Sequence, residues 1–172
     1  FELLWVEHGD RLAPRLLAIV GRNPNFRAIA LGRRAPYHSA WCRNEALRRS
    51  RGELIVYADG DVAVEDDFLR RVREEHRASD DLAMFLYRRD EPRHLHRAGF
   101  DLEHLRSVGR ILNPLNYGAC ITVRRRWLVE INGWEQHPVF ASEINAHGTD
   151  VHARFKNLGL AVKWHPGIPL YH

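Results

Sequence analysis

Short apolar runs alternate with amphipathic segments along the first half of the chain. Residues 2–6, 26–31, 53–58 and 82–87 are apolar runs of the length and continuity that buried strands have. The segments between them have helical spacing: the first extends to about residue 20, the second covers residues 40–49, and the third follows two aspartates. This alternation predicts an α/β fold with a mostly parallel sheet flanked by helices.

The ends and buried faces of the three helices are predicted from local signals. Asp10 is expected to cap the first helix and Ser39 the second, because short oxygen-bearing side chains satisfy the free N–H groups there. In the third helix, Phe68, Leu69 and Val72 are expected to face inward.

The second half of the chain is less regular. Its segments are predicted, in chain order, to be an irregular stretch over residues 88–114, a strand over 118–123, a short helix over 124–130, a sharp turn over 132–134, a helix over 151–158 and a last short strand over 161–164. In the helix over 151–158, Val151, Phe155 and Leu158 share one face, and Gly159 is expected to end it.

The composition indicates a globular domain without a membrane span. The 172 residues are 45% hydrophobic and 28% charged, and no apolar run approaches the ~20 residues that cross a bilayer. We therefore predict one domain over residues 1–172, with no transmembrane segment in this chain. The chain begins at Phe1 inside a strand-like run, and we expect it to be part of a longer protein.

The distribution of charge bears on the expected binding partners, and the cysteines bear on the expected cellular compartment. The net charge is +4, but the basic residues are spread along the chain without the interleaved aromatic side chains that a single-stranded nucleic acid needs, so no nucleic-acid partner is expected. Cys42 and Cys120 fit no metal-ligand spacing and no disulfide framework, which favours a reducing, cytoplasmic compartment.

Asp59, Gly60 and Asp61 carry the main chemical signal. They follow directly on the apolar run 53–58, and ligands of open α/β sheets gather just past the carboxyl ends of such strands. Two carboxylates there offer hard oxygen ligands to Mg²⁺ or Mn²⁺, which commonly bridge to substrate phosphates. Gly60 leaves room for a ligand near the backbone.

Two other interpretations apply to the same tripeptide, and a third is excluded. It can be a tight turn with solvated carboxylates, because Asp and Gly are common turn residues. A two-metal nucleic-acid site would need further carboxylates at strand ends. An EF-hand loop is excluded, because Ala63 and Val64 occupy positions that need an oxygen ligand and a glycine.

Five segments in this order resemble glycosyltransferase family 2, enzymes of the GT-A fold that transfer sugars from nucleoside-diphosphate donors. Residues 6–10, Val-Glu-His-Gly-Asp, resemble a strand end that usually reads Val-Asp-Asp-Gly-Ser. Residues 42–47, Cys-Arg-Asn-Glu-Ala-Leu, resemble the family's Ala-Arg-Asn-x-Gly-Leu helix. Residues 51–61 resemble the strand that carries the metal-binding DxD motif.

The other two segments lie in the second half of the chain. Residues 122–134 resemble the family's Arg-Arg-x-x-Phe-x-x-Ile-Gly-Gly-Phe segment on the acceptor side. Residues 148–159 resemble its Gly-Glu-Asp helix, and a closing His172 follows. Together the five segments cover nearly all of the chain, and the resemblance implies that the first strand and helix of the fold would precede Phe1.

The resemblance implies a role for each matching residue. Asp61 would bind a divalent cation, Mn²⁺ or Mg²⁺, Asp59 would reach the donor ribose or the cation through water, and His172 would complete the metal ligands. Asp150 would be the catalytic base. The residues expected on the donor side are Glu7, His8, Arg43, Gly60, Gly133 and Trp134.

Each role has a structural alternative. Asp150 can be a helix cap, Arg43 a solvated helix residue, Trp134 a core side chain, and His172 a disordered terminal residue.

The implied activity is metal-dependent, inverting transfer of a sugar, with a UDP-sugar as the expected donor and a hydroxyl group as the acceptor. Thr149 stands where the family usually has Glu, and His8 replaces an aspartate that reads uracil in related enzymes. These departures leave open a GT-A domain that binds without catalysis. A nucleotidyltransferase of similar layout is the third possibility.

Overall fold

The structure is a computed structural model that describes residues 1–34, 36–141 and 146–172. The chain forms two compact units: unit 1 comprises Phe1–Glu53 and Arg125–His147, and unit 2 comprises Leu54–Arg124 and Gly148–His172. The single domain expected over residues 1–172 stays a prediction.

Strands and helices alternate through most of the chain, as the apolar pattern predicts. In chain order they are β1 (Leu3–Glu7), α1 (Pro14–Arg22), β2 (Phe26–Ala30), α2 (Ser39–Arg49), β3 (Leu54–Ala58), α3 (Phe68–Ala78), β4 (Leu82–Arg89), α4 (Leu102–Val108), β5 (Cys120–Arg124), α5 (Arg125–Glu130), α6 (Ala146–Asn157) and β6 (Ala161–Tyr171). Short 3₁₀ turns lie at Arg93–Leu95 and Pro138–Phe140.

Unit 1 contains a two-stranded parallel sheet. β1 pairs with β2 in register from Leu3 opposite Phe26 to Glu7 opposite Ala30. The pairing continues past both strands, because the amide of Arg33 donates to the carbonyl of His8 at 3.1 Å. Glu7, the last residue of β1, and His8, the next residue, were both predicted on the donor side, and backbone hydrogen bonds to their carbonyls hold this part of the chain.

Unit 2 contains a four-stranded sheet in the order β3-β5-β4-β6. β5 is antiparallel to both of its neighbours and β4 is parallel to β6, so β3, β4 and β6 run in one direction and β5 alone runs against them. The α/β class is confirmed. β5 is the exception in the mostly parallel sheet that was expected, and its direction was not predicted because an apolar run carries no information about strand direction.

The core of unit 2 is built on β4 and α3. Met84, Phe85 and Leu86 of β4 are fully buried. In α3 the buried positions recur every fourth residue, at Phe68, Val72 and His76. The prediction that Leu69 faces inward is wrong, because this stripe places its side chain beside the buried face, where it is 41% exposed.

Two of the predicted helix caps are wrong. α1 begins at Pro14 rather than after Asp10, because proline lacks an N–H and its fixed φ suits the first helical position. In α2, Ser39 is already the first helical residue and His38 precedes it without a side-chain cap.

The segment 88–114 is more ordered than predicted. β4 continues to Arg89, and α4 follows after a 3₁₀ turn. Asp101 caps α4 by accepting from the amide of His104 at 3.0 Å. The helix was missed because seven residues are too few to show a helical period.

The last two elements are longer than predicted. α6 begins at Ala146 rather than at residue 151, and Leu158 lies just past its end with 38% exposure, so it is not part of the buried face. β6 extends to Tyr171 instead of ending at residue 164. It accommodates Pro166 and Pro169 because it is an edge strand whose pairing with β4 shifts register where the prolines lie.

Candidate active site

The two carboxylates predicted as metal ligands follow β3 directly. Asp59 is held by its backbone, whose amide donates to the carbonyl of Ala119 at 3.1 Å. Its side chain is also held, since the Tyr57 hydroxyl donates to Oδ1 at 2.9 Å. Asp61, after the turn at Gly60, has 68% of its side chain exposed. The first carboxylate is therefore held in place, and the second is open to a ligand.

An isolated antiparallel bridge brings the end of the chain to this turn. The amide of Ala63 donates to the carbonyl of Tyr171 at 2.8 Å, and the amide of Tyr171 donates back at 2.9 Å. The bridge joins positions next to Asp61 and His172, and it leaves His172 Nε2 only 3.4 Å from Asp61 Oδ2. The structure thus brings together two predicted metal ligands that are remote in sequence.

The backbone of His172 is fixed on both sides by β4 and the residues after it. Its amide donates to the carbonyl of Arg89 at 2.9 Å, and its carbonyl accepts from the amide of Glu91 at 2.7 Å. The alternative of a disordered terminal histidine does not agree with these bonds.

A carboxylate that the sequence did not suggest lies behind this imidazole. Asp90 Oδ1 is 2.9 Å from His172 Nδ1, on the side of the ring away from Asp61. Asp90 itself is only 9% exposed. Sequence reasoning missed it because it lies in the stretch predicted to be irregular, and its local signal is only that it comes three residues after the predicted strand 82–87.

The side chains of Asp61 and His172 suit a divalent cation that takes the rest of its ligands elsewhere. In the part of the chain that the structure describes, no group of three or more His, Cys, Asp and Glu side chains could hold a metal ion. A carboxylate oxygen and an imidazole nitrogen 3.4 Å apart can nevertheless contact one ion, with phosphate and water oxygens as its other ligands.

The cysteine closest to this site in the sheet is not a thiolate ligand. Cys120 lies opposite Ala58 in the pairing of β3 with β5 and is fully buried. Burial, and secondarily the charge of Asp59, raise the pKa of the Cys120 thiol well above its usual range. The ligands available near the turn are therefore oxygen and imidazole nitrogen.

Asp150, the predicted base, lies inside α6 and not at its N-terminus. The helix begins four residues earlier, so the alternative role as a helix cap is wrong for this residue. Arg154, one turn further along, donates to Asp150 Oδ2 from Nε at 2.9 Å and also from Nη2. The carboxylate remains 24% exposed.

The donor-side residues at the end of β1 lie among aromatic rings in unit 1. His8 is 9% exposed and stacks on Trp41, with ring centroids 5.7 Å apart and an interplanar angle of 6°. Tyr37 contacts the same imidazole edge-on at 5.4 Å. Glu7 lies near the Cys42 thiol, whose pKa is raised first by burial and then by the charge of Glu7. The aromatic neighbours of His8 have no periodic signal in the sequence, so they were not predicted.

The other donor-side residues of unit 1 are connected through α2. Asn44 accepts from the amide of Trp134 and donates to its carbonyl, both at 2.8 Å. Gly133 has φ +68°, which confirms the predicted sharp turn. Trp134 is 2% exposed and lies 5.9 Å from the guanidinium of Arg43, which is 7% exposed. The solvated-helix alternative for Arg43 is thereby excluded, and Trp134 has the burial of a core side chain.

The predicted site residues are divided between the two units. Unit 2 holds Asp59, Gly60, Asp61, Asp150 and His172, and unit 1 holds Glu7, His8, Arg43, Gly133 and Trp134. Described contacts join Asp61 to His172 in unit 2 and Arg43 to Trp134 in unit 1.

Solved glycosyltransferase structures resemble the whole chain. A mannosyltransferase from Pyrobaculum calidifontis, in complex with GDP-Man and Mn²⁺, superposes with a TM-score of 0.67 at 17% identity over 99% of this chain. GalNAc-T7 with UDP, GalNAc and Mn²⁺ gives 0.65 at 12% identity over 99%. TarS of S. aureus in complex with UDP gives 0.66 at 16% identity over 100%.

The chain has a GT-A glycosyltransferase fold. It spans 47% of the length of the mannosyltransferase, 37% of GalNAc-T7 and 51% of TarS. At this level of identity the likeness establishes the fold only, and it confirms the fold that the five sequence segments imply.

No protein-family model matches the sequence, and a comparison with curated proteins finds no match. None of the helices among residues 1–34, 36–141 and 146–172 is both long and apolar enough to cross a membrane.

Proposed function

We propose that this GT-A domain is a metal-dependent, inverting glycosyltransferase that moves a sugar from a nucleoside-diphosphate donor, a UDP-sugar, to an acceptor hydroxyl. The observation that carries the proposal is the pairing of Asp61 with His172. A structural bridge between remote segments places a carboxylate oxygen and an imidazole nitrogen 3.4 Å apart at an exposed turn.

The pair has a clear use in sugar transfer. Displacement of a nucleoside diphosphate leaves negative charge on the departing phosphate, and a divalent cation held by Asp61 and His172 would supply the neutralising charge there. The similar solved structures support the choice of cation and donor, since the mannosyltransferase and GalNAc-T7 were solved with Mn²⁺, and GalNAc-T7 and TarS with UDP. Asp59, held by Tyr57, is assigned to the donor ribose or to the cation through water.

The remaining residues receive their roles from the resemblance. Asp150 is proposed to take the proton from the acceptor hydroxyl, and a single base with in-line attack inverts the anomeric carbon. Arg154 would orient the carboxylate through its contacts with Oδ2. For the donor nucleotide we propose contacts from Glu7, His8, Arg43, Gly60, Gly133 and Trp134.

The first experiment is calorimetry of UDP binding with and without Mn²⁺. We expect heat that depends on Mn²⁺ for the natural chain and none for Asp61→Asn, because the amide cannot replace the anionic oxygen ligand. Asp66→Asn is the matched control, since it removes an exposed carboxylate from the same acidic segment and should leave binding unchanged. Absence of Mn²⁺-dependent heat at millimolar UDP would contradict the proposal.

The second experiment separates binding from catalysis. Asp150→Asn should bind UDP with Mn²⁺ as the natural chain does but transfer sugar at least about 100-fold more slowly, the usual scale of a lost general base. Near-normal turnover of this variant on a true acceptor would show that the base is another residue.

A GT-A domain that binds a nucleotide sugar without transferring it is the second candidate. The ion pair between Asp150 and Arg154 favours it, because it engages the carboxylate that would have to accept a proton. Mn²⁺-dependent UDP binding by a chain without transferase activity toward any acceptor would favour this candidate over the enzyme.

A further inference from the structure

We infer that Asp90 is a positioning residue for His172, which it holds in the tautomer that leaves Nε2 free to bind a cation. The inference rests on the proposed function, since it assigns a residue behind the proposed metal ligand. It adds a residue that neither the sequence pattern nor the resemblance indicates.

The first step is the geometry of the imidazole. Its two nitrogens face two different carboxylates: Nδ1 is 2.9 Å from Asp90 Oδ1, and Nε2 is 3.4 Å from Asp61 Oδ2. The environments differ sharply, because the Asp90 side chain is 12% exposed and that of Asp61 is 68% exposed. The buried carboxylate is at hydrogen-bond distance, and the exposed one faces the place proposed for the ion.

The second step is the rigidity of Asp90. Its amide donates to the carbonyl of Arg110 at 2.8 Å and its carbonyl accepts from the amide of Arg110 at 3.0 Å. Arg88 Nε lies 2.8 Å from the same oxygen, Oδ1, that contacts the imidazole. The carboxylate is thus fixed by its backbone and by a positive charge before any ligand arrives.

The third step is the proton on the ring. A carboxylate oxygen accepts hydrogen bonds, and Nδ1 makes the shorter of the two contacts, 2.9 Å to Asp90 against 3.4 Å from Nε2 to Asp61, so the hydrogen is placed on Nδ1. A neutral imidazole has one such hydrogen, and Nε2 therefore keeps its lone pair for a cation. Histidine ligands of metals usually have an outer partner of this kind, which fixes the tautomer and the ring orientation.

The experiment measures the tautomer of His172 and the affinity for Mn²⁺ separately. In the metal-free chain at mildly alkaline pH, ¹⁵N NMR of His172 should show the Nδ1–H tautomer, and Asp90→Ala should shift it to a mixture with Nε2–H. The Mn²⁺ affinity of the UDP-bound chain, followed by the EPR signal of free Mn²⁺, should fall by roughly 10–100-fold in Asp90→Ala.

Two further variants make the test specific. Asp90→Asn keeps an oxygen that can accept from Nδ1, so it should restore the tautomer and bring the Mn²⁺ affinity to within about 10-fold of the natural value. Glu91→Gln removes the neighbouring carboxylate, which contacts His104 at 2.7 Å and not the His172 ring, and should change neither readout. Thermal unfolding of each variant verifies that it is folded. If Asp90→Ala does not fold, Asp90→Asn is compared with the natural chain in its place.

The outcomes distinguish the inference from the proposed function. An Nε2–H tautomer in the natural chain, or an Asp90→Ala chain with unchanged tautomer and Mn²⁺ affinity, would overturn the role of Asp90. A chain with the expected tautomers that binds no Mn²⁺ with UDP would support the placement of the ring by Asp90 and overturn the proposed function.

Discussion

At the residue scale, Asn44 and Gly133 depend on each other in unit 1. A Cβ added at Gly133 would overlap Asn44 Oδ1, the atom that accepts from the Trp134 amide. The sharp turn therefore needs a glycine both for its φ of +68° and for the space that Asn44 occupies. Asn44 in turn satisfies both backbone polar groups of the buried Trp134.

Gly133→Ala should accordingly destabilise the chain by about 2–4 kcal/mol, as the sum of left-handed backbone strain and a broken hydrogen bond. Gly32→Ala is the matched control in the same unit, because Gly32 has φ +64° but nothing within 4 Å of its added Cβ. Gly32→Ala should lower the free energy of unfolding only by the backbone strain, about 1–2 kcal/mol. The free energy of unfolding of both variants is measured in urea. If Gly133→Ala and Gly32→Ala lose the same amount, the Asn44 side chain moves aside at no energetic cost, and the prediction is wrong.

At the scale of elements, α6 is fixed by a close approach to the chain before β5. A Cβ on Gly148, near the start of α6, would lie 2.5 Å from the backbone carbon and oxygen of Tyr117. Backbone atoms cannot move aside as a side chain can. The same helix carries Asp150, so this contact also determines where the proposed base lies.

Gly148→Ala should therefore destabilise unit 2 by roughly 1–3 kcal/mol, the usual cost of overpacking, although alanine is the better helix former. Gly21→Ala in α1 is its counterpart, since nothing lies within 4 Å of the added Cβ there. That change should stabilise the chain by about 0.5–1 kcal/mol. Stabilisation by both substitutions, measured by thermal unfolding, would contradict the close packing of α6.

At the scale of the whole molecule, the pH dependence of stability has an identified source in unit 2. His76 of α3 is 1% exposed, and its Nε2 lies 2.8 Å from the Thr122 hydroxyl of β5. Burial, with a smaller contribution from the charge of Arg124, lowers the pKa of His76 from 6.5 to about 4. The folded chain therefore keeps this imidazole neutral where the unfolded chain protonates it.

The sign of the effect follows from this difference. Between pH 6.5 and about 4 the unfolded state binds the extra proton, so the free energy of unfolding should fall as the pH falls through this window and be fully present above it. The loss should reach about 3 kcal/mol at most. It should largely disappear in His76→Gln, which can still bond to Thr122, and persist in the exposed control His94→Gln. The free energy of unfolding of each variant is measured in urea at several pH values. If it falls with pH in His76→Gln as steeply as in the natural chain, His76 is excluded as the source.

Much of the fold was predictable because its signals are local. Among the described residues, the apolar runs predicted five of the six strands to within about two residues, and the spacing predicted the helices other than the short α4. The failures have local causes too: Pro14 overrides the Asp10 cap, and Leu69 lies one position beside the buried stripe of α3. β6 was shortened because its prolines break a strand pattern that an edge position tolerates.

The sequence by itself determined the α/β class, the GT-A resemblance and the identity of the candidate ligands, because each depends on residues that are neighbours in the chain. Only the tertiary structure decided that β5 runs antiparallel to its neighbours and that Asp90 contacts the proposed metal ligand His172. These features arise from pairing between distant segments, of β5 with β3 and β4 and of β6 with β4, and no local pattern encodes which distant segments will pair.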